Sequence, residues 1–437
     1  MKINIKILYS LLFATGIYSQ QIPAPKQTKS ILIINGVAHL GNGEKIENSA
    51  VGFKDGKINL VADARLTRID LSTYDEVIQA EGKHIYPGFI APNSTIGLVE
   101  IDAVKATNDE REIGGFTPNI RSLIAYNTES KVIETARING VLIAQVAPRG
   151  GTIAGTSSIV QMDAWNWEEA VVKENDGIHC NFPATFKKTG WWAEPGMIEI
   201  NKEYLKEVNE FSDFLKNAKA YLASEPIEKN RVYESLRGVF NGTQTLYVNA
   251  NEEKQIIDAI RVIQENQIQK MVIIGGYQAD KIAPLLVKNN IAVLVGRVHS
   301  LPNLDQDDID HPFKIAKLLI EKGVLVGLEN SGDMERMNTR NIPFQAGTTV
   351  AYGLTKEQAL QTITLNTAKI LGIDSICGSL EVGKEATLFI SEGDALDMRT
   401  NNLSHAYIQG RKISLQSHQT QLNDKYKKNI TFNKNFK

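Results

Sequence analysis

The chain has 437 residues, 42% hydrophobic and 22% charged, which is enough apolar content to bury a large core. Its 48 Lys and Arg against 50 Asp and Glu give a net charge of −2, and the basic residues are scattered, so nothing marks it for a polyanion and nucleic acid is excluded as a partner. Only Cys180 and Cys377 occur, outside any CxxC or Cys/His spacing, which excludes a disulfide framework or a cysteine metal site. Two buried free thiols are expected, with a single bridge still open in an oxidising compartment.

The first predicted element is a secretory signal over residues 1–19. Lys2 and Lys6 precede an apolar run from Ile7 to about Ile17, and Ser19 stands before Gln20. A spanning helix needs ~20 apolar residues and this run falls short. The expectation is cleavage, a periplasmic or secreted protein, and no membrane span thereafter.

Residues 28–88 then alternate in short β-like runs, Ile31 to Val37, Ala50 to Phe53, Ile58 to Val61 and Val77 to Ile85, with a hairpin signal at Asp55-Gly56. The same texture returns over 374–416, in ATLFISEGD and HAYIQGRKISL, where Gly410-Arg411 reads as a tight turn. Between them, over 89–373, short apolar strands alternate with stretches of helical spacing such as EEKQIIDAIRVIQENQ, ADKIAPLLVKNN and PFKIAKLLIEKG. Candidate strands are Val141 to Val146, Thr245 to Val248, Met271 to Ile274, Ala292 to Val295 and Val324 to Leu328. The pattern predicts an α/β chain: a (β/α)8 TIM-like barrel interrupting a small β-sandwich made from both chain ends. A segment over about 160–235, with Trp165, Trp167, Trp191 and Trp192, reads as an irregular insertion, and 417–437 as a polar tail. Trp165 and Trp167 are expected to pack rather than to stack on a ligand.

Two phrases carry a family resemblance. KHIYPGFIAPNSTIGL resembles the passage from sandwich to barrel in the amidohydrolase superfamily, and AYGLTKEQALQTITLNTAKILGIDSICGSLEVGKEATLFI resembles the return. GVLIAQVAPRGGTIAGTSSIVQMDAWNWEEA is similar to the secreted, imidazolonepropionase-like group. The resemblance implies a hydrolase of carbon–nitrogen bonds that uses zinc or another divalent metal at the C-terminal mouth of the barrel, where the ion activates water.

The family's ligand positions hold other residues. Its first strand ends Pro-Gly-hydrophobic-Ile-Asp-x-His-x-His, and the corresponding residues are Ala91, Asn93 and Thr95. The His after the fifth strand becomes Asn249, the one after the sixth falls at Gly275 or Gly276, and the Asp after the eighth at Asn330 or Ser331, with Asp333 two residues on. Amide and hydroxyl oxygens are far weaker zinc ligands than imidazole or carboxylate. No metal or other cofactor is therefore expected. Of the histidines, His39, His84 and His405 fall in the sandwich, His418 in the tail and His179 in the insertion. His299, after the seventh strand, lies on the functional face and is a candidate ligand contact, as is Arg149 in the glycine-rich RGGTIAGTSS, read as a tight loop at the pocket rim. Asp102, Asp109, Glu110 and Glu112 form an acidic stretch expected to face solvent.

Three functional readings stay open. The first is a relative with a dismantled metal site that binds an amide- or peptide-like molecule, or pairs with an active amidohydrolase paralogue or with its own copies. The second is a working C–N hydrolase for N-acyl amino acids, dipeptides or cyclic amides, with Glu100, Glu329 and Asp333 as candidate acid–base groups. The third is a structural or interaction module.

Overall fold

Alternating apolar residues at the start of the chain form β1 (Ile31–His39), β2 (Lys45–Lys54), β3 (Lys57–Asp63), β4 (Glu76–Gln79) and β5 (His84–Pro87) in the computed structural model, which describes residues 21–434 other than 192, 225–227 and 305. The predicted signal and Trp192 lie outside the described residues. β1 pairs antiparallel with β2, and on its other edge runs parallel to β4 and β5. The Asp55-Gly56 turn joins β2 to β3 with both residues at positive φ, 51° and 78°, matching the twist of the flanking strands.

Gly88 carries the chain from β5 into the barrel. A Cβ there would stand 3.0 Å from both Leu142 Cδ1 and Thr387 Cγ2, so the crossing point has no room for a side chain. The barrel sheet comprises β6 (Phe89–Ser94), β7 (Val141–Val146), β8 (Ile153–Gln161), β9 (Val171–Asn181), β12 (Thr245–Ala250), β13 (Met271–Gly275), β14 (Ala292–Val295) and β15 (Val326–Leu328); β10 (Phe186–Trp191) and β11 (Glu194–Ile200) form a separate hairpin. The run β9, β12, β13, β14, β15 is parallel throughout, as is β6 with β7. Strand β8 breaks the pattern by running antiparallel to both neighbours. Only residues 147–152 separate β7 from β8, enough for a reversal but not for the dozen-residue crossover that a parallel neighbour requires. The segment 362–364 bridges the seam: Ile90 N–H donates to Ile363 O (2.9 Å) and Leu328 N–H to Thr362 O (3.1 Å).

The stretch 160–235 therefore does not stand outside the barrel as an irregular insertion. It supplies β9, then the β10–β11 hairpin and a helix over Tyr204–Ala223. Trp167 packs against the core, whereas Trp165 is exposed and packs against nothing comparable. Outside the barrel, Glu253–Glu265 turns Ile256, Ala259, Ile260 and Ile263 inward, and His311–Glu321 buries Ile315, Ala316 and Leu319.

The chain then returns to the first sheet through β16 (Leu388–Ser391), β17 (Leu403–Ile408) and β18 (Arg411–Lys412), giving the order β18-β17-β16-β5-β1-β2-β3. The sandwich is thus one curled sheet: Ala386 N–H reaches Gly56 O (2.8 Å) and Ile58 N–H reaches Lys384 O (2.9 Å), folding the β2–β3 turn over the return strand. The β17–β18 turn is Gln409-Gly410, with Arg411 already in β18. The tail is helical over His418–Lys434, its start tied to Glu134 Oε2 by the His418 N–H (2.9 Å). Cys180 and Cys377 are both free and buried, and burial raises the Cys377 thiol to about 12. Among the described residues no helix is long and apolar enough to cross a membrane.

Asp163 clamps the parts together. Its carboxylate takes Arg137 on one oxygen and Arg411 on the other, each at 2.9 Å, and the Ala24 N–H as well. All three charged side chains are nearly solvent-free. Asp163→Ala is expected to lower the free energy of urea unfolding by about 3–5 kcal/mol, because it strands two buried guanidinium groups. Asp63→Ala, which removes the partner of the exposed Arg65, should leave the unfolding curve unchanged.

Candidate functional site

Strand β6 is buried along its whole length, yet it ends in two polar residues, Asn93 and Ser94, and Thr95 follows directly. The β6–β7 register shifts between Ala91 and Ser94, and Asn93 adopts φ +48°, a left-handed conformation that asparagine tolerates better than most side chains. The distortion makes Asn93 a junction. Its N–H donates to Gln145 Oε1 (2.9 Å) and its Nδ2 to Glu329 Oε2 (3.2 Å), while Arg149 donates to its Oδ1 (3.0 Å) and its backbone O (2.8 Å).

Below that junction the barrel interior holds a second acid. Asp176 accepts from Ser157 Oγ (2.7 Å), Gln145 Nε2 (2.8 Å) and the Tyr247 hydroxyl (2.9 Å). Burial raises its carboxyl above the ordinary range, and these neutral donors only partly offset the effect. Glu329 follows β15 and is equally enclosed. Burial raises it too, against the lowering influence of the Ser331 hydroxyl (2.9 Å to Oε1) and N–H (2.6 Å to Oε2).

The strand ends surround a cavity of about 890 Å³, lined among others by Asn93, Thr95, Arg149, His179, Asn249 and Ser331. Four of the five positions at which the resemblance would place metal ligands, Asn93, Thr95, Asn249 and Ser331, therefore share one space, with Arg149 beside them. The fifth, Gly276, does not reach it; it sits in the turn after β13 at φ +62°. Its neighbour Gly275 lines a second lobe of about 260 Å³, which shares Asn249 and Ser331 with the first.

Other expected residues fall elsewhere. His299 bonds Thr348 Oγ1 (2.6 Å) and lines a different cavity with Phe344 and Met398, so it is no contact of the mouth. Glu100 accepts from Asn127 Nδ2 (3.4 Å) away from the cavity, and Asp333 lies exposed on its rim. Glu329 gives both oxygens to Asn93 and Ser331. Glu100, Glu329 and Asp333 thus form no carboxylate pair. Asp102 and Glu110, expected on a solvated face, line the cavity, paired with Arg336 and Arg111 respectively. Arg149 is neutralised by Glu335 (2.9 Å). The glycine-rich turn lies at the rim, with Gly150 and Gly151 both at positive φ.

His179, placed by the sequence reading inside an insertion, stands on β9 and faces the cavity. It stacks on Tyr247 with ring centroids 4.7 Å apart, and burial, with Arg149 adding, holds its pKa well below the usual imidazole value. Its Nε2 and the Thr95 Oγ1 are enclosed and have no hydrogen-bond partner among the described residues. In the stretch ENDGIHCN only Ile178 and Cys180 are apolar, too little to announce a strand.

Zinc needs several imidazole, thiolate or carboxylate ligands around one point. Among the described residues no group of three or more His, Cys, Asp or Glu is so placed. Instead, the mouth offers one imidazole, the buried Cys180 thiol, carboxylates of Asp102, Glu110 and Glu335 that are each paired with an arginine, Asp333 exposed at the rim, and amides and hydroxyls. The donor set does not fit a divalent ion.

Burial that raises a carboxyl pKa contributes stability complete below the unfolded value and lost as pH climbs through the folded one. Asp176→Asn and Glu329→Gln should each gain stability relative to the parent as pH rises above about 4, read from urea unfolding across a pH series. A difference that does not vary with pH would mean that folding leaves the carboxyl pKa unshifted.

Residues 241–424 match the model of the amidohydrolase family. No curated protein matches the chain. Among solved structures, an amidohydrolase from Thermotoga maritima MSB8 superposes with TM-score 0.74 at 24% identity, covering 88% of this chain and 99% of that one. A Xaa-Pro dipeptidase with bound methionine in the active site gives 0.52 at 14%, covering 88% and 100%, and molinate hydrolase gives 0.52 at 16%, covering 90% and 96%. The chain resembles the amidohydrolase superfamily and has its fold.

Proposed function

We propose that this chain, built on the amidohydrolase fold, binds an amide- or peptide-like small molecule at the mouth of its barrel. The observation that carries the reading is the convergence of Asn93, Thr95, Asn249 and Ser331 on one cavity with two unsatisfied polar atoms, Thr95 Oγ1 and His179 Nε2. An amide presents one strong acceptor and one donor close together. Asparagine side chains complement both, a threonine hydroxyl serves either, and an imidazole held neutral can accept or donate through one nitrogen. Leaving such atoms unpaired costs about 1–3 kcal/mol each, which a ligand that meets them returns as affinity.

Calorimetric titration with N-acyl amino acids, dipeptides and cyclic amides is expected to find a binder. Asn249→Leu should weaken it about tenfold or more, the equivalent of one lost polar contact. Silence from the whole panel at millimolar concentration would overturn the reading. The same reading expects zinc titration, followed by metal analysis, to leave less than one equivalent bound. Stoichiometric zinc lost on Asn93→Ala would restore ordinary metal-assisted hydrolysis.

A second reading, turnover of carbon–nitrogen bonds, is favoured by the relatives, which include a Xaa-Pro dipeptidase and molinate hydrolase. For this chain the proton donor would be Glu329, a carboxyl whose burial keeps it protonated nearer neutrality and which walls the smaller lobe. Glu329→Gln should then abolish product formation while retaining binding. Export belongs to the same proposal: mass spectrometry of the mature protein should find a chain that begins near Gln20.

A further inference from the structure

At the mouth two guanidinium groups are already matched, Arg149 by Glu335 and Arg111 by Glu110. Arg297, just beyond β14, is not. Its Nη2 donates to the backbone oxygens of Asn330 (3.3 Å) and Asp333 (2.9 Å), its Nε is enclosed and unpartnered, and among the described residues no carboxylate lies within ion-pair distance. A half-buried guanidinium without a counter-charge is costly, and its planar fork suits a carboxylate better than any neutral group.

The surroundings of Arg297 form a compartment rather than a surface. It lines the 260 Å³ lobe with Gly275, Gly296, Asn251 and Tyr277, and among the described residues Glu329 is the one carboxyl that lines it. Two glycines keep the space open. Gly275 has φ +89°, and a Cβ on it would meet Asn251 Oδ1 at 2.3 Å; one on Gly296 would stand 3.4 Å from Glu329 Oε1. Both Glu329 oxygens are taken by Asn93 and Ser331, so the guanidinium of Arg297 is the uncommitted charged group of the lobe among the described residues. Asn249 and Ser331 lie where this lobe opens into the larger cavity.

Building on the binding function proposed above, we infer that Arg297 and the glycine-walled lobe receive the terminal carboxylate of the ligand, with its amide held at Asn249 and Ser331 and the remainder in the larger cavity. The ligand class is an amide that bears a free carboxylate, such as an N-acyl amino acid or a dipeptide, in preference to a neutral or cyclic amide. Arg297 is a specificity-determining residue in this scheme. It need not take part in any bond-breaking step.

The test is a set of N-acetyl amino acids titrated calorimetrically against their own C-terminal carboxamides, which differ only in the charged group. The parent protein is expected to bind the carboxylate of each pair about tenfold or more tightly, the worth of a charge-assisted hydrogen bond, and the preference should shrink with added salt. Arg297→Met should bring carboxylate binding down to the carboxamide level and leave the carboxamide within about twofold, and Arg297→Lys should retain part of the preference, since it keeps the charge and loses the fork. Equal binding of both members by the parent overturns the inference and leaves the amide-binding reading standing; so does an equal loss for both in a folded Arg297→Met. Should that variant fail to fold, the parent's preference and its salt dependence decide the matter. Failure of the parent to bind either series removes both proposals.

Discussion

Asn93 holds the barrel mouth together through its side chain and its own backbone. It joins β6 to Gln145 on β7, to Arg149 in the turn beyond β7, and to Glu329 beyond β15. A left-handed asparagine can do this because its short amide donates on one side and accepts on the other while the backbone N–H and C=O remain free to bond in two further directions. Arg149 and Glu329 are both largely enclosed, so each depends on these bonds to offset its desolvation.

The same junction determines what chemistry the mouth offers. The strand ends carry a polar lattice: Asp176 is held by Gln145, Ser157 and Tyr247, and Glu329 by Asn93 and Ser331. Burial raises the pKa of both acids, and their hydrogen-bond donors only partly offset it. The mouth is thereby a place of amides, hydroxyls and two buried acids whose pKa values burial raises, with Arg149 neutralised and Arg297 left without a counter-charge among the described residues.

The reversed strand β8 has a part in this arrangement. Its short connection to β7 forms the glycine-bearing turn that carries Arg149 to the rim, and its antiparallel pairing sets β9 in register, bringing His179 to face the cavity. Far from the mouth, Asp163 ties Arg137, Arg411 and Ala24 into one buried cluster and so fastens the barrel to both chain ends.

Much of this was legible in the sequence. The β-like alternation at both ends, the Asp55-Gly56 turn and the apolar periods of Glu253–Glu265 and His311–Glu321 are local signals, governed by side-chain spacing along one element, and they gave the barrel and its companion sheet. The positions of Asn93, Thr95, Asn249 and Ser331 could be read because each lies at or within three residues of a strand end in a repeating architecture. The segment 160–235 misled because β9 carries charged and polar residues, Lys173, Glu174, Asn175 and Asp176, where a strand signal needs apolar ones. Its partners lie on other strands, and the bonds that make Asp176 acceptable inside the barrel come from residues 19, 31 and 71 positions away.

The sequence by itself determined the class of fold, since that depends on which residue types recur at which spacing. Only the tertiary structure decided that His179 faces the mouth while His299 does not, that Glu329 is spent on Asn93 and Ser331, and that Arg297 lacks a counter-charge. These are properties of distance, enclosure and partnership among residues remote in the chain, and no local pattern encodes them.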